Sequence, residues 1–334
     1  MQSKILVEVE RNGIVESVHR GWVAVCDSKG ELINGTHKTF PNVFFRSSLK
    51  PIQALPFLFS KGMETFKFGL RELAIICSSH SGEEIHTSIV KHILDTIGLD
   101  QSYLKCGTHI PYSSKVANKL IIDNQEPSLL QCNCSGKHSA MLAACLINSW
   151  DLKNYHEYDH PLQKSVREHL GNILDIDSNN LKWGIDGCGI PTYVLPLDKL
   201  AQIFARITNA ENNKNEYMEH FLMIREAFLN FPYVIAGHDR VDTVMMQALP
   251  TRFLSKIGGE AILGFSSIKE KINLAIKIED GINRPMIPTI IKSLKNIGLN
   301  IDSIPTLHDL ETTNIYNNDK KIVGKVKPVV KFVY

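Results

Sequence analysis

Ser47 stands three residues ahead of Lys50 in FFRSSLKPIQALPFLF, residues 44–59, and the lysine is followed at once by proline. Pro51 lacks an N–H and clashes inside a helix but is accepted in the first turn, so it sets a helix start at about Ser47 to Lys50. The unpaired N–H groups and positive dipole end of such a start disfavour an ammonium and favour an oxyanion. A lysine whose pKa falls for this reason, beside apolar Phe44, Phe45 and Leu49, can take a proton from a serine hydroxyl one turn away. The plainer alternative makes Ser47 or Ser48 an N-cap. Spacing alone does not choose, because Ser-x-x-Lys recurs at Ser88/Lys91, Ser102/Lys105 and Ser266/Lys269, all in settings that suit solvated side chains.

Two further stretches add groups of the same chemistry. CSSHSGE, residues 77–83, follows the apolar run ELAIIC, and its Ser79 and His80 can face a cleft, although a capping serine and a satisfied histidine are the simpler accounts. LSKIGGEA, residues 254–261, places Lys256 on a strand beside two glycines, where another backbone or a ligand can approach closely. A strand lysine followed by glycine, combined with Ser-x-x-Lys at a helix start, is the arrangement of penicillin-recognising serine enzymes. Their strand motif is Lys-Thr-Gly, and Ile257 makes the match partial.

Sulfur is the other reactive element. In QCNCSGKHSAMLAACL a helix begins at about Ser135 or Gly136, with Cys134 at the cap and Lys137 and His138 in the first turn, a position that lowers thiol pKa. In WGIDGCGIPTY, residues 183–193, Cys188 lies just after a strand and between Gly187 and Gly189, which imply a tight exposed turn, with Asp186 two residues before. Cys134, Cys188 and a nitrogen from Lys137 or His138 can hold a metal with one position left for water, and zinc is the first candidate for such mixed donors. A histidine ligand is ordinary chemistry, whereas a lysine ligand must be a neutral amine.

These groups need a scaffold. KILVEVE, GWVAVCD and GELING, around the turn signals Asn12-Gly13 and Ser28-Lys29-Gly30, predict an opening meander of strands. Apolar residues at spacings of three and four then predict helices over 51–59, 70–77, 84–97, 136–148, 161–173, 197–207, 216–229 and 241–248, with 207–217 as the most polar loop. FLSKIGG, EAILGFS and NLAIKIED read as three short strands, residues 284–298 as a helix and KPVVKFVY as a last strand. The expectation is an α/β (α+β) fold, an antiparallel sheet built from both chain ends and flanked by helices. Residues 1–334 form one domain on this reading, with a helix-rich middle of about 84–250 that is not cleanly separable.

Composition narrows the partners. The chain has 334 residues, and 37 basic against 35 acidic side chains leave a net charge of +2 without a basic block or acidic tail. Nucleic acid and membrane surfaces are therefore poor partners. No apolar segment approaches the ~20 residues of a membrane span and no secretory signal is visible, so a cytoplasmic location is expected. Seven cysteines, an odd number, argue for thiols rather than a disulfide framework.

Taken together, eight stretches resemble the rhizobial-type thermolabile L-asparaginases, the asparaginase II family. They are residues 7–21, 45–56, 77–83, 133–142, 184–193, 236–243, 255–261 and 276–281, in family order. The resemblance implies a homodimeric amidohydrolase of L-asparagine with a fold related to serine β-lactamases and penicillin-binding proteins. It implies two serine-lysine tandems, Ser47 with Lys50 and Ser79 with Lys256, and a zinc site at Cys134, Lys137 and Cys188, where zinc positions groups rather than catalysing. Cys132 and Gly259 depart from the family pattern. For the ammonium and carboxylate of a free amino acid, Asp186 and Arg240 are the nearest candidates, with His80 beside them. The rival expectations are a β-lactamase-like acyl enzyme and a catalytically silent zinc protein that binds an amino acid.

Overall fold

The computed structural model describes residues 2–212 and 215–333. Its strands are β1 (Lys4–Arg11), β2 (Ile14–Cys26), β3 (Leu32–Gly35), β4 (Asn42–Phe44), β5 (Lys182–Ile185), β6 (Pro191–Pro196), β7 (Phe253–Gly258), β8 (Ile262–Ser267), β9 (Ile272–Ile278), β10 (Thr313–Tyr316) and β11 (Ile322–Pro328). The larger sheet runs β10-β11-β1-β2-β9-β8-β7, with β3 also paired to β2. Every pairing in it is antiparallel. Strands from the two ends of the chain thus meet at β1–β11 and β2–β9, the α+β arrangement expected from their positions in sequence.

The sheet is buried on both faces along β7–β9 and the second half of β2, and the period of two along β2 shows how. Trp22, Ala24 and Cys26 join one apolar cluster, while the alternate Val23 and Val25 join the other. The first cluster continues into the helical middle through Leu200, Phe204 and the helix Leu70–Cys77. The second is closed by Met245 and by Ile290, Ile291 and Leu294 of the helix Met286–Asn296. Close packing makes a small residue obligatory at Gly264 of β8, where a Cβ would meet the Phe204 ring at 2.1 Å.

The helices Leu70–Cys77 and Val241–Ala248 have the bounds that periodicity predicts. The helix expected over 51–59 is broken at Ala54 into Lys50–Gln53 and Leu55–Phe59, with Pro56 in the first turn of the second piece. Two expectations are corrected. The last strand is Ile322–Pro328 rather than the KPVVKFVY tail, since alternation begins earlier, at Ile322. The chain also forms a second sheet, β4-β6-β5, in which β5 is the strand expected ahead of Cys188, while β4 and β6 have no counterpart among the expected elements. Of the polar segment 207–217, Ile207 and Thr208 complete a helix and 213–214 lie outside the described residues.

Candidate active site

A 3₁₀ turn, Arg46–Leu49, runs directly into the helix Lys50–Gln53, so the helix begins where Pro51 requires. Neither serine caps it, and the Ser48 hydroxyl turns back to the Phe45 carbonyl. The second sheet holds this start in place: Phe45 N–H donates to the Tyr193 carbonyl at 3.0 Å and Arg46 N–H to Thr192 Oγ1 at 3.1 Å. Gly258 of β7 closes it from the other side, where a Cβ would lie 3.0 Å from the Phe45 carbonyl and 3.1 Å from Ser48 N. The backbone approach read from the paired glycines is therefore the contact between β7 and the helix start. Arg46 adopts φ +49°, a left-handed conformation at the edge of the site.

Lys50 is fully buried, and its Nζ donates to the Ser78 carbonyl, to the Asn133 carbonyl at 3.1 Å and to Ser79 Oγ at 3.1 Å. Lys256, also fully buried, reaches the same hydroxyl from β7 at 2.9 Å, and the Ile257 carbonyl at 2.7 Å. The pairing expected from spacing is thus redistributed. Lys50 meets Ser79 rather than Ser47, because the loop after Cys77 carries Ser79 across the helix start. That loop is fixed by Ser79 N–H to the Ile235 carbonyl (2.9 Å) and by Ser81 Oγ to the Ala236 carbonyl (2.7 Å). Ser47 is half-buried, three residues before Lys50 on a continuous helical turn, and its hydroxyl has no hydrogen-bond partner among the described residues.

Burial pushes the Lys256 amine down from 10.5 to about 8, and repulsion from Lys50 and Arg240 adds to this against the opposing pull of Asp242. Asp242, fully buried on the helix Val241–Ala248, sits 3.5 Å from Lys256 Nζ. Its carboxylate also accepts Ile257 N–H at 2.9 Å and Ser255 Oγ at 2.8 Å, so it ties that helix to β7 around the lysine. Sequence reasoning gave Asp242 no role. The available signal was a carboxylate inside the otherwise apolar VDTVMMQA.

A cavity of about 510 Å³ opens over Ser47 and Ser79 and is walled by Arg46, Tyr112, Asn133, Arg240, Ile257–Glu260 and Asn283. Arg240 belongs to this wall, with its guanidinium 4.5 Å above the Tyr112 ring. The other two expected substrate contacts do not. His80 is fully buried, with Nδ1 accepting Gly82 N–H at 3.1 Å and Nε2 2.9 Å from Ser135 Oγ, so both nitrogens are used inside the protein. Burial, first of all, pushes its pKa well down and keeps the ring neutral. Asp186 is held by Arg46 at 2.8 Å, and Gly187 N–H donates to it at 2.7 Å. It lines a smaller cavity of about 260 Å³ next door, together with Cys134 and Cys188.

The turn Gly187–Gly189 forms, with Gly189 at φ +81°, but Cys188 points inward and is only 5% exposed. Its sulfur accepts from Lys137 Nζ at 3.2 Å, and Cys134 is in contact with it. Cys134 is the cap residue of the helix Ser135–Ile147, as expected. Hydrogen bonds from the Cys132 and Cys188 thiols, with Lys50 and Lys137 nearby, push its pKa well down. Burial works to lower the Lys137 amine, but facing Cys188, Cys134 and Asp186 it is held above its ordinary value. Between protein groups alone the pair is an ammonium facing sulfur. His138 turns away to Tyr155 Oη at 2.7 Å, which leaves Lys137 as the nitrogen beside the two sulfurs. Among the described residues no three His, Cys, Asp or Glu side chains are grouped to hold a metal ion. All seven cysteines are unpaired and buried.

Asn133 and His109 also escaped sequence reasoning. Asn133 N–H donates to His109 Nε2 at 3.0 Å while the Asn133 carbonyl receives Lys50, so an imidazole 24 residues away positions the peptide that holds the lysine. No helix is long and apolar enough to cross a membrane, among the described residues. A family model described as L-asparaginase II matches residues 7–328 of this chain. No curated protein matches it.

Proposed function

The chain belongs to the L-asparaginase II family, and from that premise we propose that it hydrolyses the side-chain amide of L-asparagine to L-aspartate and ammonia through a serine acyl-enzyme. One observation carries the chemistry: Ser79 Oγ is shared by Lys50 and Lys256 inside the cavity that also presents the Ser47 hydroxyl. Two buried amines on one oxygen disfavour two positive charges, so one of them is available as a base.

Ser47 is the attacking group in this reading. Its hydroxyl has no hydrogen-bond partner among the described residues and lines the cavity, whereas Ser79 Oγ is already engaged by both amines. Ser47 gives its proton to the Lys50–Ser79–Lys256 bridge, whose Lys50 lies one turn along the helix, as Oγ bonds to the amide carbon. Backbone N–H groups at the helix start are the candidate donors to the oxyanion. Ser79 passes a proton from the lysine pair to the departing ammonia, and returns one when water releases aspartate. Arg240, whose guanidinium has no carboxylate partner, receives the substrate α-carboxylate.

The same bridge supports the kinship with penicillin-recognising serine enzymes and leaves a lactam-hydrolysing activity to be tested with a chromogenic cephalosporin. A second reading makes Ser79 the nucleophile, because it is the hydroxyl in hydrogen-bond contact with a lysine of lowered pKa. Cys134, Lys137 and Cys188 are the residues that would hold zinc, and two sulfurs with one amine are donors zinc accepts. Bound there, zinc would supply a fixed charge beside the cavity. Its binding requires Lys137 to release a proton. The homodimer and the cytoplasmic location remain part of this proposal and rest on the resemblance and the sequence. Ammonia and aspartate release by wild type, Ser47→Ala and Ser79→Ala tests the reading, and full turnover in Ser47→Ala removes its nucleophile.

A further inference from the structure

A free amino acid brings an ammonium as well as a carboxylate, and the expected anion, Asp186, is taken up by Arg46 and by Gly187 N–H in the neighbouring cavity. The reaction cavity has its own carboxylate. Glu260 lies on its wall at the end of β7 and is exposed. Among the described residues no donor hydrogen-bonds or forms a close salt bridge with its side chain: Lys277 and Arg46 act on it electrostatically, but Lys277 gives its hydrogen bonds to the Glu260 and Ile278 backbone carbonyls and Arg46 pairs with Asp186.

The backbone holds Glu260 in place. Glu260 and Ala261 are consecutive residues in the left-handed region, at φ +60° and +49°, where side chains other than glycine are strained. Gly281 makes room for the carboxylate: a Cβ there would meet Glu260 Oε2 at 2.5 Å, and its φ of +76° suits glycine in any case. The cavity over Ser47 and Ser79 is therefore lined by one guanidinium, Arg240, and one carboxylate, Glu260, that form no salt bridge among the described residues.

Resting on the amidase reading above, we propose that Glu260 is the specificity-determining residue that receives the α-ammonium of the substrate, with Arg240 receiving the α-carboxylate, so that the site takes amides of free amino acids. Amides lacking the ammonium, or bearing it blocked by an acyl group, are poor substrates. The two charges of the zwitterion, held at separate points, place the side-chain amide at the third, over Ser47.

The experiment compares ammonia release from L-asparagine and from succinamic acid, which is the same molecule without the α-amino group, by wild type, Glu260→Gln and Glu260→Asp. Wild type is expected to prefer L-asparagine in kcat/KM by on the order of 100-fold, the worth of a charge-assisted hydrogen bond. Glu260→Gln brings that preference to within about threefold, through a higher KM for L-asparagine and with no slowing on succinamic acid, which brings no ammonium. Glu260→Asp recovers part of the preference. A Glu260→Gln variant that keeps the wild-type ratio, or a wild type that treats both substrates alike, overturns the assignment alone. A wild type that releases no ammonia from L-asparagine overturns the amidase reading with it.

Discussion

Lys50 and Lys256 reach a single oxygen, Ser79 Oγ, from 3.1 and 2.9 Å, although one amine starts from a helix and the other from a sheet strand 206 residues later. Neither amine is exposed. The proton balance of the site is therefore a property of this bridge rather than of either lysine.

Removal of the bridging hydroxyl should slow turnover without removing the attacking group. Ser79→Ala is expected to lower kcat by about 100-fold or more, the usual worth of general acid–base transfer. Ser47→Ala should abolish turnover. Intact-mass measurement after acid quench of the slow Ser79→Ala enzyme should find an added aspartyl group mapped to Ser47; a group mapped to another residue of an active variant would reassign the nucleophile.

Activity should rise with pH through about 8, where Lys256 gives up its proton. Below that pH Lys256 keeps its proton and cannot act as the base. Above it the pair can take up the proton of the attacking serine. The ascending limb of kcat/KM against pH reads this directly, and a limb near pH 6 would point to a different base.

Asp242 raises the Lys256 pKa, so Asp242→Asn should move that limb to lower pH by about one unit. The change also leaves buried cations without their anion and is expected to destabilise the fold by about 3 kcal/mol at pH 7. In the variant the folded state binds the Lys256 proton less well than the unfolded chain. Raising the pH from 7 to 9 removes that proton and should relieve about 1 kcal/mol of the loss relative to wild type, as denaturant unfolding at the two pH values would measure.

Metal content should follow the sulfur and amine donors. Wild type grown with zinc is expected to carry about one equivalent per chain, and Cys188→Ser or Lys137→Met to carry far less. Elemental analysis after gel filtration decides this, and equal zinc in all three proteins would place the metal elsewhere.

The helix that presents Cys134 and Lys137 rests directly on the one that leads to Ser79. A Cβ at Gly136 would lie 2.2 Å from the Ile75 carbonyl, which is backbone and cannot swing aside. Gly136→Ala should therefore cost about 1–3 kcal/mol of stability by forcing the helices apart. Thermal melting should fall together with ammonia release, because both cavity walls move.

Local patterns in the chain were enough for much of this architecture. Alternation in KILVEVE and GWVAVCD, the Asn12-Gly13 turn, Pro51 at a helix start and the periodic ELAIIC each depend on neighbours within a few residues, and the corresponding elements form where they predict. The strand ahead of Cys188 forms as β5, whereas β4 has only three residues, β6 begins and ends on proline, and the tail strand starts at Ile322, ahead of KPVVKFVY. Ser47, Lys50, Ser79, Lys256, Cys134 and Cys188 stand out by residue type and context, Lys137 and Arg240 only through the resemblance, and the structure gathers them around two adjoining cavities.

What needed the tertiary structure was partnership. Sequence separation cannot say that Lys50 belongs to Ser79, that Arg46 takes Asp186 out of the reaction cavity, that His80 turns inward or that Glu260 lies beside Gly281. Helix and strand patterns follow from local backbone physics, so residue order alone determines them. Which charge meets which is settled only when distant segments pack and exclude water, and burial then makes each of those meetings count in the chemistry.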